Sequence, residues 1–386
     1  MENTLSPAPT PRILVPVIAL TLYAVASGYL MSLIPLMLPH YGLDSDLASW
    51  LASVFYGGLL IGAAGIEPVV VRLGHRNAFV WCLVVLTATI LVLPVFHNAA
   101  VWLFARLVAG IAVAGVFVIV ESWLLHGDEM SRAKRLGLYM GALYGGSALG
   151  QFGIGLLGTE GGVPFIAIFT LMLLAVTVLI YGESDQPETE HSSSLSLKQI
   201  AKLNHAAIIG CIVSGLTLGA IYGLMPLELS QRGINHTEVG TLMALVIMGG
   251  MAVQPMVPWM SKYLGRTLLM AMFCLLGVAS IALTAMDSNL GVLAVCLFLL
   301  GMATFALYPI AINLGCDKLE TSYIVSATQV MLFSYSIGSV LGPVIADLFM
   351  KSQHGLMGYL FISLLATCIY MLLASVKSKR QIMAGE

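Results

Sequence analysis

Arg106 and Glu121 are the two residues whose surroundings demand a chemical explanation, because both stand in a run, 100–125, that is otherwise almost wholly apolar. A charge held in hydrocarbon costs about 2.5–3.5 kcal/mol on insertion scales. Arg106 falls about two turns into the run, where a cation can bind an anionic solute group or help couple protons. The plainer reading is a side chain that snorkels outward or bonds backbone carbonyls. Glu121 follows fifteen residues later, ~22 Å along a helix rising ~1.5 Å per residue. The two therefore do not pair directly, although they lie only ~60° apart around the axis. Glu121 is expected beside the turn carrying Arg72 and Arg76, as part of a gate ion pair. Proton binding is its sharper alternative, and an inert structural contact the third.

The other charges are less telling. Glu67 precedes Pro68, which permits a kink, and either joins the same gate or snorkels. Asp347 and Lys351 have the spacing of an ordinary helix pair. Glu228 reads as a solvated helix end. The eight histidines, at 40, 75, 97, 126, 191, 205, 236 and 354, fall in or near connections. A histidine relay is thus not expected, nor is a helix-borne zinc site, since no His-Glu-x-x-His occurs. The six cysteines share no Cys-x-x-Cys spacing and read as single buried thiols. No metal and no cofactor are expected.

The elements that must hold these residues follow from composition. The chain has 386 residues, 59% hydrophobic and 9% charged, against roughly 25% charged in a soluble chain. That is too little charge to cover a water-facing surface, so the lipid bilayer must cover it. A span needs ~20 mostly apolar residues. Twelve such stretches lie near 13–38, 48–70, 78–96, 100–125, 136–158, 163–182, 206–229, 238–260, 267–286, 290–314, 323–349 and 357–376. The first is too long for a cleaved signal and reads as a retained helix. The scattered basic residues argue against nucleic acid as a partner.

Numbering the stretches in order sorts fourteen Lys and Arg to the side of the N-terminus and only Arg232 and Lys351 to the other. By the positive-inside rule both termini are cytoplasmic, and the expected location is the bacterial inner membrane. The one long connection, 183–205, is polar and Ser-rich, and reads as a cytoplasmic linker. Its end, Leu195 to Leu203, has the pattern of a short surface helix. It divides the chain into an N-terminal six-helix half, 1–182, and a C-terminal half, 206–386.

The halves repeat one another about 191 residues apart. Gly28, Pro35, Gly58, Gly74 and Gly110 recur as Gly219, Pro226, Gly249, Gly265 and Gly301. Tyr144 recurs as Tyr335 at the same offset, whereas Gly146-Ser-Ala-Leu-Gly150 recurs one residue later as Gly338-Ser-Val-Leu-Gly342. Six spans per copy give parallel repeats about an axis along the membrane normal. The Gly-x-x-x-Gly pairs let helix backbones approach closely.

Two parallel six-helix halves with a central linker resemble the major facilitator superfamily. Arg106-Leu-Val-Ala-Gly110 resembles its Arg-x-x-x-Gly motif. Arg72-Leu-Gly74-His75-Arg76 resembles the end of its Gly-x-x-x-Asp-Arg-x-Gly-Arg-Arg motif, with Met260-Ser-Lys-Tyr-Leu-Gly265-Arg266 as the second copy. The segments Arg106–Trp123, Gly210–Leu229 and Ser334–Pro343 are similar to the YcaD-like branch. The motif's glycine and aspartate are here Glu67 and Val71, and Pro258 and Lys262 in the second copy, which puts the family's latch in doubt.

The resemblance implies an all-α membrane protein of twelve transmembrane helices. Spans 1, 4, 7 and 10 would line a central cavity, with 2, 5, 8 and 11 beside them. The substrate-binding candidates are Arg106, Tyr29, Tyr144, Gln151, Tyr222, Tyr308, Gln329 and Tyr335, with Tyr56, Gln254 and Asn313 behind them. Glu67, Arg72, Arg76 and Glu121 are the candidates for gating or proton coupling.

The expected activity is secondary active transport of a small organic solute, favoured as anionic or carboxylate-bearing, by a monomer coupled to protons, since no Walker loop is present. Efflux of amphiphilic or drug-like compounds is the alternative, and a non-transporting sensor the reading from another class. An enzyme is not expected: Gly145-Gly-Ser147-Ala fails the Gly-x-Ser-Gly of an intramembrane protease.

Overall fold

The computed structural model describes residues 13–125, 135, 137–183, 204–286, 289–317, 321–351 and 355–383. Most of the expected linker, 184–203, lies outside the described residues, as does the surface helix expected at its end.

Lipid offers no partner to an open N–H or C=O, so apolar runs of this length must satisfy their backbones internally, as helices. The helices are α1 (Leu14–Met37), α2 (Leu47–Gly65), α3 (Glu67–Val92), α4 (Ala99–Leu125), a fifth span described below, α6 (Val163–Tyr181), α7 (His205–Gln231), α8 (His236–Val253), α9 (Arg266–Met286), α10 (Leu290–Cys316), α11 (Thr321–Met350) and α12 (Gly355–Met383). A short helix, Met256–Met260, prolongs α8. Among the described residues eleven helices are long and apolar enough to cross a membrane. The twelfth span, α5, is broken into a π turn (Gly141–Gly145) and two short helices, Gly146–Gln151 and Gly153–Leu157. Large apolar side chains such as Trp81, Phe104, Leu156, Ile166 and Leu373 point outward, where lipid covers them.

The twelve helices form two parallel six-helix repeats with matching contacts. In the first, α1 packs on α5 and α6, α2 on α4, and α3 on α4 and α6. In the second, α7 packs on α11 and α12, α8 on α10, and α9 on α10 and α12. The match extends to single atoms. A Cβ on Gly58 would strike the Leu107 carbonyl, and one on Gly249 would strike that of Phe298. A Cβ on Gly110 would meet the Phe55 carbonyl, and one on Gly301 that of Val246. Each pair is 191 residues apart. Along α5 and α11 the register becomes 192: Gly150 abuts the Val25 carbonyl and Gly342 that of Leu216. Tyr144 and Tyr335, matched at 191, are therefore one residue out of step with the backbones that carry them.

Local signals set the ends. Asn98 and Asn289 start α4 and α10 by accepting from the N–H two residues on, at 2.9 and 2.7 Å. Such caps satisfy an orphan donor of the first turn. At Gly74 the backbone turns sharply inside α3 (φ 75°, ψ 160°), a conformation that glycine alone adopts cheaply. The residue after each turn glycine then ties back to the neighbouring helix end. His75 Nε2 lies 3.0 Å from Ser122 Oγ, and Arg266 donates to the Asn313 carbonyl and to Asp317. One expectation is corrected: Glu228 is buried, pairs with Arg232 at 2.7 Å, and accepts from the Leu356 N–H at the start of α12. A carboxylate suits the positive end of a helix.

Candidate functional site

Between the two repeats lies a cavity of about 550 Å³, within the range of small-molecule sites. Among the described residues the polar contacts between the repeats gather toward one end, the end away from both termini. There Ser53 donates to the Val340 carbonyl at 2.7 Å, Thr159 Oγ1 lies 3.1 Å from His236 Nδ1, and Lys351 reaches Asp46 at 2.8 Å. Gly223 leaves room for Ala52, and Gly240 for the Gln151 carbonyl. These contacts join α2 to α7 and α11, and α5 to α8. Toward the other end, Glu121 and Asn313 line the cavity and are exposed, so the cavity opens on the side of the termini.

Arg106 and Glu121 are the charged residues among those lining the cavity. Arg106 sits toward the closed end, its guanidinium carbon 4.2 Å from the centre of the Phe55 ring. That contact contributes about 0.5–2 kcal/mol depending on desolvation. Its Nε is buried without a hydrogen-bond partner, and no carboxylate pairs with it among the described residues. Glu121, near the open end, accepts from Tyr139 Oη at 2.9 Å.

The rest of the wall is aromatic. Tyr144 and Tyr222 each meet the Phe305 ring edge-on, with centroids 5.4 and 5.9 Å apart. Tyr308 lies 4.9 Å from Tyr335, and Tyr23, Tyr56 and Phe117 complete this side.

Of the substrate-binding candidates, the structure brings Arg106, Tyr144, Tyr222, Tyr308 and Tyr335 together at the cavity, with Tyr56, Gln254 and Asn313. Tyr29 and Gln151 are not at it. The Tyr29 hydroxyl donates to the Gly158 carbonyl at 2.6 Å. Gln151, fully buried, donates to the Gly28 carbonyl at 2.7 Å and accepts from Ser32 at 2.5 Å. Both are bonds between α1 and α5. The side chain of Gln329 lies outside the described residues.

The gate candidates separate. Glu121 is held by Tyr139 and not by Arg72 or Arg76. Arg76 donates to the carbonyls of Leu179, Ile180 and Gly182 at the end of α6, which a cation stabilises. Glu67 and Arg72 are exposed beside a shallow surface depression. Tyr23, Tyr139 and Phe305 were missed. Spacing gives no signal for them: Tyr139 lies five residues before Tyr144, ~140° away around a regular helix.

The Major Facilitator Superfamily sequence model matches residues 17–343. The chain is 31% identical over 370 residues to the uncharacterized MFS-type transporter YcaD of Escherichia fergusonii, covering 94% of each. It is 30% identical over 357 residues to an MFS-type transporter of Enterobacter sp. (strain 638), covering 92% of each. Two crystal structures of the nucleoside transporter NupG share its fold. For one, of a mutant, the TM-score is 0.76 at 12% identity, covering 93% of this chain and 97% of that one. For the other it is 0.71 at 13% identity, covering 95% and 98%.

Proposed function

This chain belongs to the major facilitator superfamily, and we propose that it moves a small carboxylate-bearing organic solute by alternating access, coupled to protons. It is a membrane transporter and not an enzyme; the solute, the coupling and the sidedness are our reading. Arg106 carries that reading. Arg106 is half-buried, and its guanidinium, with an unbonded Nε, retains donors for a ligand; a carboxylate matches its fork in two parallel bonds. A solute entering from the open end passes Glu121 first. An anion is repelled by an ionised glutamate and not by a protonated one, so co-transport of a proton removes the like charge from its path. Tyr139, bonded to Glu121, is positioned to follow that change.

The charge bias of fourteen to two supports termini in the cytoplasm of a bacterial inner membrane, with the cavity open inward. The repeated packing supports two halves, 1–182 and 206–386, about the linker 183–205. Each chain has its own cavity, which supports a functional monomer. Met31, Met140 and Met172 on the wall favour the second reading, efflux of amphiphiles, since methionine adapts to varied apolar shapes.

Thermal stabilisation of the purified protein by a panel of organic acids, cations and neutral amphiphiles, with Arg106→Ala alongside, tests the proposal. A ligand that binds only the folded state raises its melting temperature. Carboxylates should stabilise the wild type and not the variant. Equal stabilisation of both by cations or neutral amphiphiles overturns the carboxylate reading in favour of efflux.

A further inference from the structure

The aromatic wall of the cavity that Arg106 lines is more specific than an apolar lining needs to be. Phe305, on α10, is seated in a notch of α8: a Cβ on Gly250 would lie 2.5–2.8 Å from three of its ring carbons. The ring is thereby fixed, and it meets Tyr144 from α5 and Tyr222 from α7 at interplanar angles of 85° and 80°. Three helices from both repeats thus converge on one ring. Aromatic quadrupoles favour such edge-to-face angles, and a further flat ring can join the set on the same terms.

The phenol hydroxyls add a second observation. Those of Tyr144 and Tyr222 line the cavity with no hydrogen bond to protein among the described residues. Covering a hydroxyl without a partner is costly, so these two are left for water or for acceptors on a solute. Tyr56 and Tyr335 line the same cavity as this cluster and Arg106, which places ring shelf and cation in one site.

We infer that the solute is a planar aromatic carboxylate, its ring system held among Phe305, Tyr144 and Tyr222 and its carboxylate by Arg106. This deepens the carboxylate reading above and rests on it. A saturated ring of the same size buries similar apolar area, but it has no quadrupole to match the edges presented to it.

The test uses the full-length protein in nanodiscs and three probes with one carbon skeleton: naphthoate, its fully hydrogenated analogue, and naphthamide. Affinities are measured for the wild type, Phe305→Leu and Phe305→Tyr. Naphthoate should bind about tenfold more tightly than the saturated acid, the size of a favourable aromatic pair. The gap should fall below about twofold in Phe305→Leu and persist in Phe305→Tyr, which keeps a ring in the notch. Equal binding of the two acids overturns the inference and leaves the carboxylate reading standing. Equal binding of naphthoate and naphthamide overturns the carboxylate reading and this inference with it, as does binding of none of the three.

Discussion

The two repeats share a scaffold and differ in charge. Where α2 crosses α4, and α8 crosses α10, the same glycines meet the same carbonyls 191 residues apart. The charges show no such pairing. Arg106 corresponds to Leu297, which is buried, and Glu121 to Ile312, which lines the cavity. Close backbone crossings are needed in both halves, because both must pack. A carboxylate needs one guanidinium and a proton needs one acid, so a single half suffices for the chemistry.

The crossings give the largest expected effect. In Gly110→Ala and Gly301→Ala the added carbon meets a carbonyl oxygen of a rigid helix, and overpacking of this kind costs about 1–3 kcal/mol. Both variants should lose this much, measured as lower melting temperatures in detergent. Gly57→Ala, where nothing lies within 4 Å, should be neutral or gain up to about 1 kcal/mol from helix preference. A large loss in one repeat and none in the other would break the symmetry of the scaffold.

The charges should behave asymmetrically. Arg106→Ala should weaken carboxylate binding by roughly tenfold to a hundredfold, the loss of a charged hydrogen-bonded pair. Ile312→Ala, matching Glu121 on the other wall, should change it by less than about twofold, since it removes only an apolar contact at the open end. Glu121→Gln keeps the shape and the bond from Tyr139 but cannot release a proton. Uptake in vesicles should then lose its dependence on a pH gradient while equilibrium binding stays near that of the wild type. Uptake by Glu121→Gln that still follows the gradient would remove the carboxylate from the coupling step.

How much of this was legible in the sequence depended on the kind of signal. The repeat, the spans and the turn at Gly74 were readable because glycine and proline mark backbone constraints directly. Helix facing was not. Tyr23 and Tyr29 are six residues apart, which at ~100° per residue puts them on different sides of one helix. Only Tyr23 faces the cavity. An amphipathic stripe normally decides such a choice, but α1 is apolar all round, so Tyr29 and Gln151 were expected at the solute and are instead bonded between helices. The break in α5 was hidden as well, since a π turn there needs no proline. In the sequence Lys351 has Asp347 as its evident partner, because nothing local points to Asp46, 305 positions away.

That last contact separates the two seams of the closed end and gives the smallest expected effect. Where α11 meets α2, Lys351 lies 2.8 Å from Asp46 and 3.3 Å from Asp347. Where the end of α5 meets α8, Thr159 and His236 share a hydrogen bond. Asp46, and after it Asp347, raise the Lys351 pKa above the usual lysine range. A raised pKa on a cation means the contact is at full strength below the ordinary lysine value and is lost only as pH climbs through the raised one. It should thus be insensitive near neutrality. Lys351 and Asp46 are solvent-exposed, so salt should screen the pair. A cysteine introduced at Ala48, buried beside this seam, reports opening by its labelling rate from the far side. Lys351→Met should raise that rate about twofold at low salt, with the difference fading at high salt. Thr159→Val should act equally at both salts, because its bond involves no fixed ion pair. A salt-dependent response from Thr159→Val, or none from Lys351→Met at low salt, would mean that charge does not distinguish the two seams.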